Sequence, residues 1–111
     1  MSELRKFTSD FLKILADQTR LEILDLLKIE EKNSSEIQNE LDRSQSTISK
    51  HLNMLLDNGI INFQKKENIK YYKIRNPGIL ELIAHIHSIV SDIYKEKFRD
   101  IRDIDVLDTL S

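Results

Sequence analysis

Apolar side chains return at steps of three and four along most of this chain, and at steps of two along one short stretch past its middle. Leu4, Phe7, Phe11, Ile14 and Leu15 make the first stripe, which predicts an amphipathic helix beginning near Ser2 or Glu3 and packing on its own core or on a partner subunit. Asp17 is a suitable N-cap for a second helix through Lys28. Leu21, Ile23, Leu24, Leu26 and Leu27 make that helix so broadly apolar that it should be central. A polar connector, Glu30 to Ser34, follows. Asn33 with Glu36 three positions on is a capping-box start, so a third helix is expected over Ser34 to Leu41. Ile48, Leu52, Leu55 and Leu56 mark a fourth over Gln45 to Asp57, with Ser44 as its N-cap and Asn58-Gly59 as a left-handed end.

The period then changes to two. Ile60 to Lys66 and Lys70 to Arg75 read as strands of a hairpin around the turn Glu67-Asn68-Ile69, with Ile61, Phe63, Tyr72 and Ile74 alternating toward the core. The opposite side and the tip carry Lys65, Lys66, Lys70 and Lys73, and Asn68 can take a positive φ. Asn76-Pro77-Gly78 breaks the sheet. Ile79, Leu82, Ile83, Ile86, Ile89, Val90, Ile93 and Phe98 then predict a long helix from Ile79 to about Phe98, whose stripe exceeds what a small core can cover and suits a two-fold mate. Ile101, Ile104, Leu107 and Leu110 keep a three-residue beat that fits either a short extra helix or a frayed end.

The polar positions of the fourth helix carry the first functional signal. Gln45, Ser46, Ser49, Lys50 and Asn53 share the face that the apolar residues leave free, and no carboxylate interrupts it before Asp57. Such side chains are short, uncharged or positive and both donate and accept hydrogen bonds, as reading base edges and phosphates requires. The net charge of −2 over 111 residues argues against a polyanionic partner until its distribution is considered. Residues 1–42 hold six basic and ten acidic side chains, residues 43–75 seven and two, and residues 76–111 four and seven. A local field steers a polyanion, and the positive excess falls on the fourth helix and the hairpin.

Three blocks in order, LADQTRLEILDLL (Leu15 to Leu27), SQSTISKHLNMLLDNGII (Ser44 to Ile61) and KKENIKYYKI (Lys65 to Ile74), resemble the ArsR/SmtB family of winged helix-turn-helix repressors over about the first three quarters of the chain. The resemblance implies one mainly α domain with a small antiparallel β-hairpin (α+β) over 1–111. Residues 1–28 and 79–111 would supply dimerisation helices, 33–58 the helix-turn-helix and 60–75 the wing. It implies a homodimeric repressor of double-stranded DNA on an imperfect palindrome, released by an inducer that is often a metal ion. Ser44, Gln45, Ser46, Thr47, Ser49, Lys50 and His51 would touch bases or phosphates, and Lys65, Lys66 and Lys70 the flanking backbone. His51 can also be read as a partly buried residue at the helix margin. The chain departs from the family pattern at Gln18, where proline is common, at Gln38, where a small residue is usual, at Asp42, where glycine is usual, and at Arg43, where an apolar residue is usual. Gln38 is expected to open the helix crossing slightly.

The inducer does not follow. There is no cysteine, so thiolate ligands are excluded. Glu81, His85, His87, Asp92 and Glu96 are conceivable ligands, but aligning His85 and His87 with the first half of the family's interfacial helix site puts Phe98 and Ile101 on the second half, and neither binds metal. No metal and no cofactor is therefore expected. Gly59 and Gly78, the two glycines, are each explained by a helix end or a turn, which leaves no phosphate-cradling loop, and Ser49, Lys50 and His51 on one helical turn are poor geometry for a nucleophile and its base. An enzyme is not expected. The competing class is a winged-helix protein-interaction module, antitoxin-like or a regulator subunit, with weak or no operator binding. No apolar run reaches membrane-span length and the first ten residues are too polar for a secretory signal, so the expected place is the cytoplasm, away from membranes.

Overall fold

The computed structural model describes residues 2–99 in full and 100–110 as helical backbone. The chain forms two compact units, Met1–Pro77 and Gly78–Ser111. In the first, helices α1 (Ser2–Leu15) and α2 (Gln18–Ile29) lead into a short strand β1 (Lys32–Asn33), then helices α3 (Ser34–Leu41) and α4 (Gln45–Asp57), and strands β2 (Ile61–Lys66) and β3 (Ile69–Ile74). The second unit consists of helix α5 (Pro77–Leu110) from Gly78 onward, and the helix starts two residues before its expected onset because proline is pre-set for the first helical position. The expected beat of Ile101, Ile104, Leu107 and Leu110 lies outside the described side chains.

The helix boundaries follow from their caps. The Asp17 carboxylate accepts the Arg20 N–H at 3.0 Å and starts α2. At α3 the Asn33 side chain accepts the Glu36 N–H (2.9 Å) while the Glu36 carboxylate accepts the Asn33 N–H (3.1 Å), a reciprocal box that satisfies two otherwise orphaned donors. Asn58 and Gly59 close α4 with Gly59 N–H to the Leu56 carbonyl and Ile60 N–H to the Leu55 carbonyl, both 3.0 Å, and Gly59 takes φ +72°.

Ile23, Leu24 and Leu27 of α2, Ile37 of α3, and Ile48, Leu52 and Leu55 of α4 form the core with Ile60, Ile61 and Tyr72 of the hairpin. Each such aliphatic side chain contributes about 1.5–3 kcal/mol on burial. Tyr72 burial pushes its phenol pKa up. Phe63, expected inside, is 40% exposed, its ring tilted at 56° against that of Tyr72 at a centroid separation of 6.0 Å. It lies on the edge strand β2, whereas Tyr72, directly opposite, lies on the central strand β3.

The sheet has three strands in the order β1-β3-β2, all antiparallel neighbours, where a two-stranded hairpin was expected. The added strand comes from the polar connector: Lys32 pairs with Tyr72 and Asn33 with Tyr71. Lys32 is buried, and its ammonium reaches Glu30 (3.1 Å) and Glu40 (3.1 Å), whose hydrogen bonds raise its pKa. The hairpin turn is two residues rather than three. Glu67 (φ 51°) and Asn68 (φ 70°) are both left-handed, and Ile69 already pairs with Lys66. Two consecutive positive φ values match the twist of the flanking strands.

Candidate nucleic-acid interface

The turn between α3 and α4 sets the attitude of α4. Asp42 takes φ 53°, ψ 51° in place of the family's glycine, and the Gln38 carbonyl accepts the N–H groups of both Asp42 and Arg43. The Gln38 side chain lies back along its own helix, its amide donating to Ser34 Oγ at 2.9 Å. The hydroxyl of Ser44 accepts the Thr47 N–H (3.2 Å), donates to Thr47 Oγ1 (2.9 Å) and lies 3.2 Å from Ser46 Oγ, so the first turn of α4 carries a connected set of hydroxyls.

Gln45, Ser46, Lys50 and Asn53 are exposed along α4, while Thr47 and Ser49 are half-buried. Arg43 is exposed just before the helix. His51 does not belong to this face. It is 9% exposed, and its Nδ1 lies 3.0 Å from the buried Arg20 guanidinium, so the structure places it at the inner margin of the helix rather than at the groove. Three turns of helix put His51 nearer the side that holds Ile48, Leu52 and Leu55 than the side that holds Gln45 and Lys50.

The lysines of the wing divide by register. Lys65 is directly opposite Lys70, on the face shared by Phe63 and Tyr72, while Lys66 and Lys73 belong to the other face, so the expected single basic side is two. Lys66 is engaged by an ion pair with Glu31. Lys65 and Lys70 are exposed and have no acidic partner among the described residues, and the Lys70 ammonium lies 4.6 Å from the centre of the Phe63 ring. Like charges placed directly across a ladder destabilise it. Together they flank a cleft of about 410 Å³ whose other wall is the first turn of α3, including Ser34 and Ser35. Sequence reasoning missed those serines and Arg20. The sign of an N-terminal helical turn was present at Ser34, but its proximity to the wing depends on β1, which carries no periodic signal.

Among the described residues no group of three or more His, Cys, Asp or Glu side chains gathers within metal-binding reach. No described helix is long and apolar enough to cross a membrane.

A capped helix pair joined by a left-handed turn, followed at once by a basic hairpin, defines a winged helix-turn-helix protein. Residues 17–62 match the family described as bacterial regulatory protein, arsR family. The arsenical resistance operon repressor of Staphylococcus aureus is 34% identical over 84 residues, covering 76% of this chain and 81% of the relative. The chain belongs to the arsR family of bacterial regulatory proteins. The crystal structure of Rv0081 from Mycobacterium tuberculosis is similar with a TM-score of 0.80 at 26% identity, over 85% of this chain and 95% of that one. A solution NMR structure of a homodimeric winged helix-turn-helix DNA-binding domain from Mycobacterium bovis gives 0.78 at 24% identity, over 86% and 88%. The protein is a DNA-binding transcription regulator and not an enzyme.

Proposed function

We propose that this regulator is a homodimeric repressor that places two copies of α4 in successive major grooves of an imperfect DNA palindrome, about 34 Å apart. The observation that carries the reading is the exposed, acid-free face of α4, Gln45, Ser46, Lys50 and Asn53, beside the opposed and unpaired Lys65 and Lys70. Gln45 and Ser46 read bases, with Ser49 behind them. Ser44, Thr47 and Lys50 hold phosphates or base edges. Lys65 and Lys70, with Ser34 and Ser35 across the cleft, hold the flanking backbone. Lys66 is the weaker contact, because Glu31 already neutralises it.

Dimerisation draws support from apolar surface on each unit taken alone. Leu4, Phe7 and Leu12 of α1 are 65%, 65% and 47% exposed. Leu82, Ile86, Ile89, Val90, Ile93, Tyr94 and Phe98 are all exposed on α5. The homodimeric relative from Mycobacterium bovis agrees with this reading, and a cytoplasmic location follows from the DNA partner.

Relatives named for arsenical and cadmium resistance suggest a soft-metal inducer. The donor set does not fit one: soft metals prefer thiolates, and the 111 residues contain no cysteine. No step of the mechanism is routed through a metal.

The test is footprinting on the DNA upstream of the protein's own coding sequence, with affinity followed against salt. Each phosphate contacted releases roughly 0.9 counterion, so affinity should fall steeply with ionic strength. Two protected half-sites one helical turn apart are expected. Affinity that ignores salt would point to a protein-interaction module instead.

A further inference from the structure

Arg20 and Lys32 are the buried cations among the described residues. Lys32 has two carboxylates at its ammonium. Among the described residues, Arg20 has none in hydrogen-bond reach of its guanidinium. Its Nε donates to the Ile14 carbonyl in the last turn of α1 (2.6 Å), and its Nη1 donates to His51 Nδ1 (3.0 Å) and to the Met54 sulfur (3.3 Å). One guanidinium thereby ties the end of α1 to the middle of α4, from a position on α2.

An arginine is always charged and can only donate, so His51 Nδ1 must accept and the ring proton must sit on Nε2. A protonated ring has no acceptor. We propose that Arg20 is the positioning residue for α4, and that its bond to His51 opens when His51 takes a proton, so the α4 face is correctly presented to DNA only while His51 is neutral. The regulation so described rests on the DNA-binding reading for its effect on affinity, although the clasp itself does not.

The surroundings settle which state the fold favours. The charged groups acting on His51 are Asp17 and Arg20 on the α2 side, Lys50 beside it on α4, and Arg43 in the turn. Three of the four are cations. Burial depresses the imidazole pKa below its ordinary value, the three cations add to this, and the Asp17 carboxylate, 4.0 Å from Nδ1, opposes both. On protonation the ring is repelled by Arg20 and attracted to Asp17, the carboxylate that caps α2. Gln45, Ser46, Ser49 and Lys50 lie within the six residues before His51 on one rigid helix, so a rotation at His51 carries them with it.

The experiment has two arms on the full chain. In the first, affinity for the footprinted duplex is measured between about pH 8 and pH 5 at fixed ionic strength. Wild type should lose up to tenfold per pH unit for each subunit engaged, hence up to a hundredfold for the dimer, through the His51 titration. His51→Gln offers an acceptor that does not titrate and should flatten the profile. Arg20→Lys should bind less tightly at pH 8 and respond less to pH. Superimposable profiles for wild type and His51→Gln would overturn the proposal. In the second arm, the free protein is titrated by NMR. The His51 ring should show the Nε2–H tautomer at pH 8, and its protonation should move the Arg20 Nε signal and the amides of residues 45–50 together. Ring titration with those signals unmoved would also overturn it. Coupled NMR shifts in a protein that binds no duplex at any pH would uphold the clasp and sink the DNA reading.

Discussion

Lys65 and Lys70 stand opposite each other in the wing with nothing acidic between them, a placement that weakens the hairpin and suits a polyanion. Replacing either by threonine should stabilise the fold by a few tenths of a kcal/mol in urea melts, remove about one unit from the salt slope, and weaken all duplexes alike. Lys66→Ala should do less to the slope than Lys65→Thr because Glu31 holds Lys66 in the free protein; a larger effect at Lys66 would reverse the assignment of the two faces. Gln45→Ala should relax preference at particular base pairs by about 1–3 kcal/mol per lost bidentate contact, which competition between cognate and random duplexes would detect. Residue identity made these positions legible, since lysine and glutamine on a polar face carry their own meaning. It did not give the pairing of Lys65 with Lys70, because that depends on a register that only the two-residue turn fixes. Nor did it settle His51, whose buried ring meets an arginine 31 positions earlier in the chain.

Among the elements, α4 owes its start to Ser44, and Ser44→Ala should cost about 1 kcal/mol of stability by removing the acceptor for the Thr47 N–H. Because the same hydroxyl also organises Ser46 and Thr47, affinity should fall more than stability alone explains. The helices were readable in the sequence because each has a cap and a 3.6-residue stripe, and Asp17, Asn33 and Ser44 all cap as their identities predict. The strand β1 was not readable. Two polar residues have no alternation to display, and what makes them a strand is the free edge of β3. On α5, Ile89→Asp with Ile93→Asp should leave the helix formed but turn the particle into a monomer by light scattering, with a steep loss of operator affinity. A dimer unaffected by that pair would place the subunit contact elsewhere.

For the molecule as a whole, acid acts through two groups whose pKa values are both lowered. The Asp17 carboxyl is held below the usual carboxylate range chiefly by the Arg20 N–H, and the His51 imidazole is lowered chiefly by burial. In each case the unfolded chain binds the proton more readily than the folded one, so stability rises with pH. The His51 contribution is fully present above the ordinary histidine value of 6.5 and is lost as pH falls through its lowered folded value. The Asp17 contribution is lost below 3.8. Thermal melts should therefore decline in two stages on acidification, and His51→Gln should remove the first alone. The charge balance follows the same division: a chain of net −2 keeps its positive excess between residues 43 and 75, where the reading helix and wing lie.

The pairing of Lys32 with Tyr72 and Asn33 with Tyr71, together with the Glu31–Lys66 ion pair, fastens the wing to the segment that caps α3. A flap tethered only at its base would exchange its amide hydrogens independently of its neighbours. Here the protected amides of β3 should exchange at one common rate with those that open α3, so a pull on the hairpin by one DNA strand would be felt at once in the capping turn.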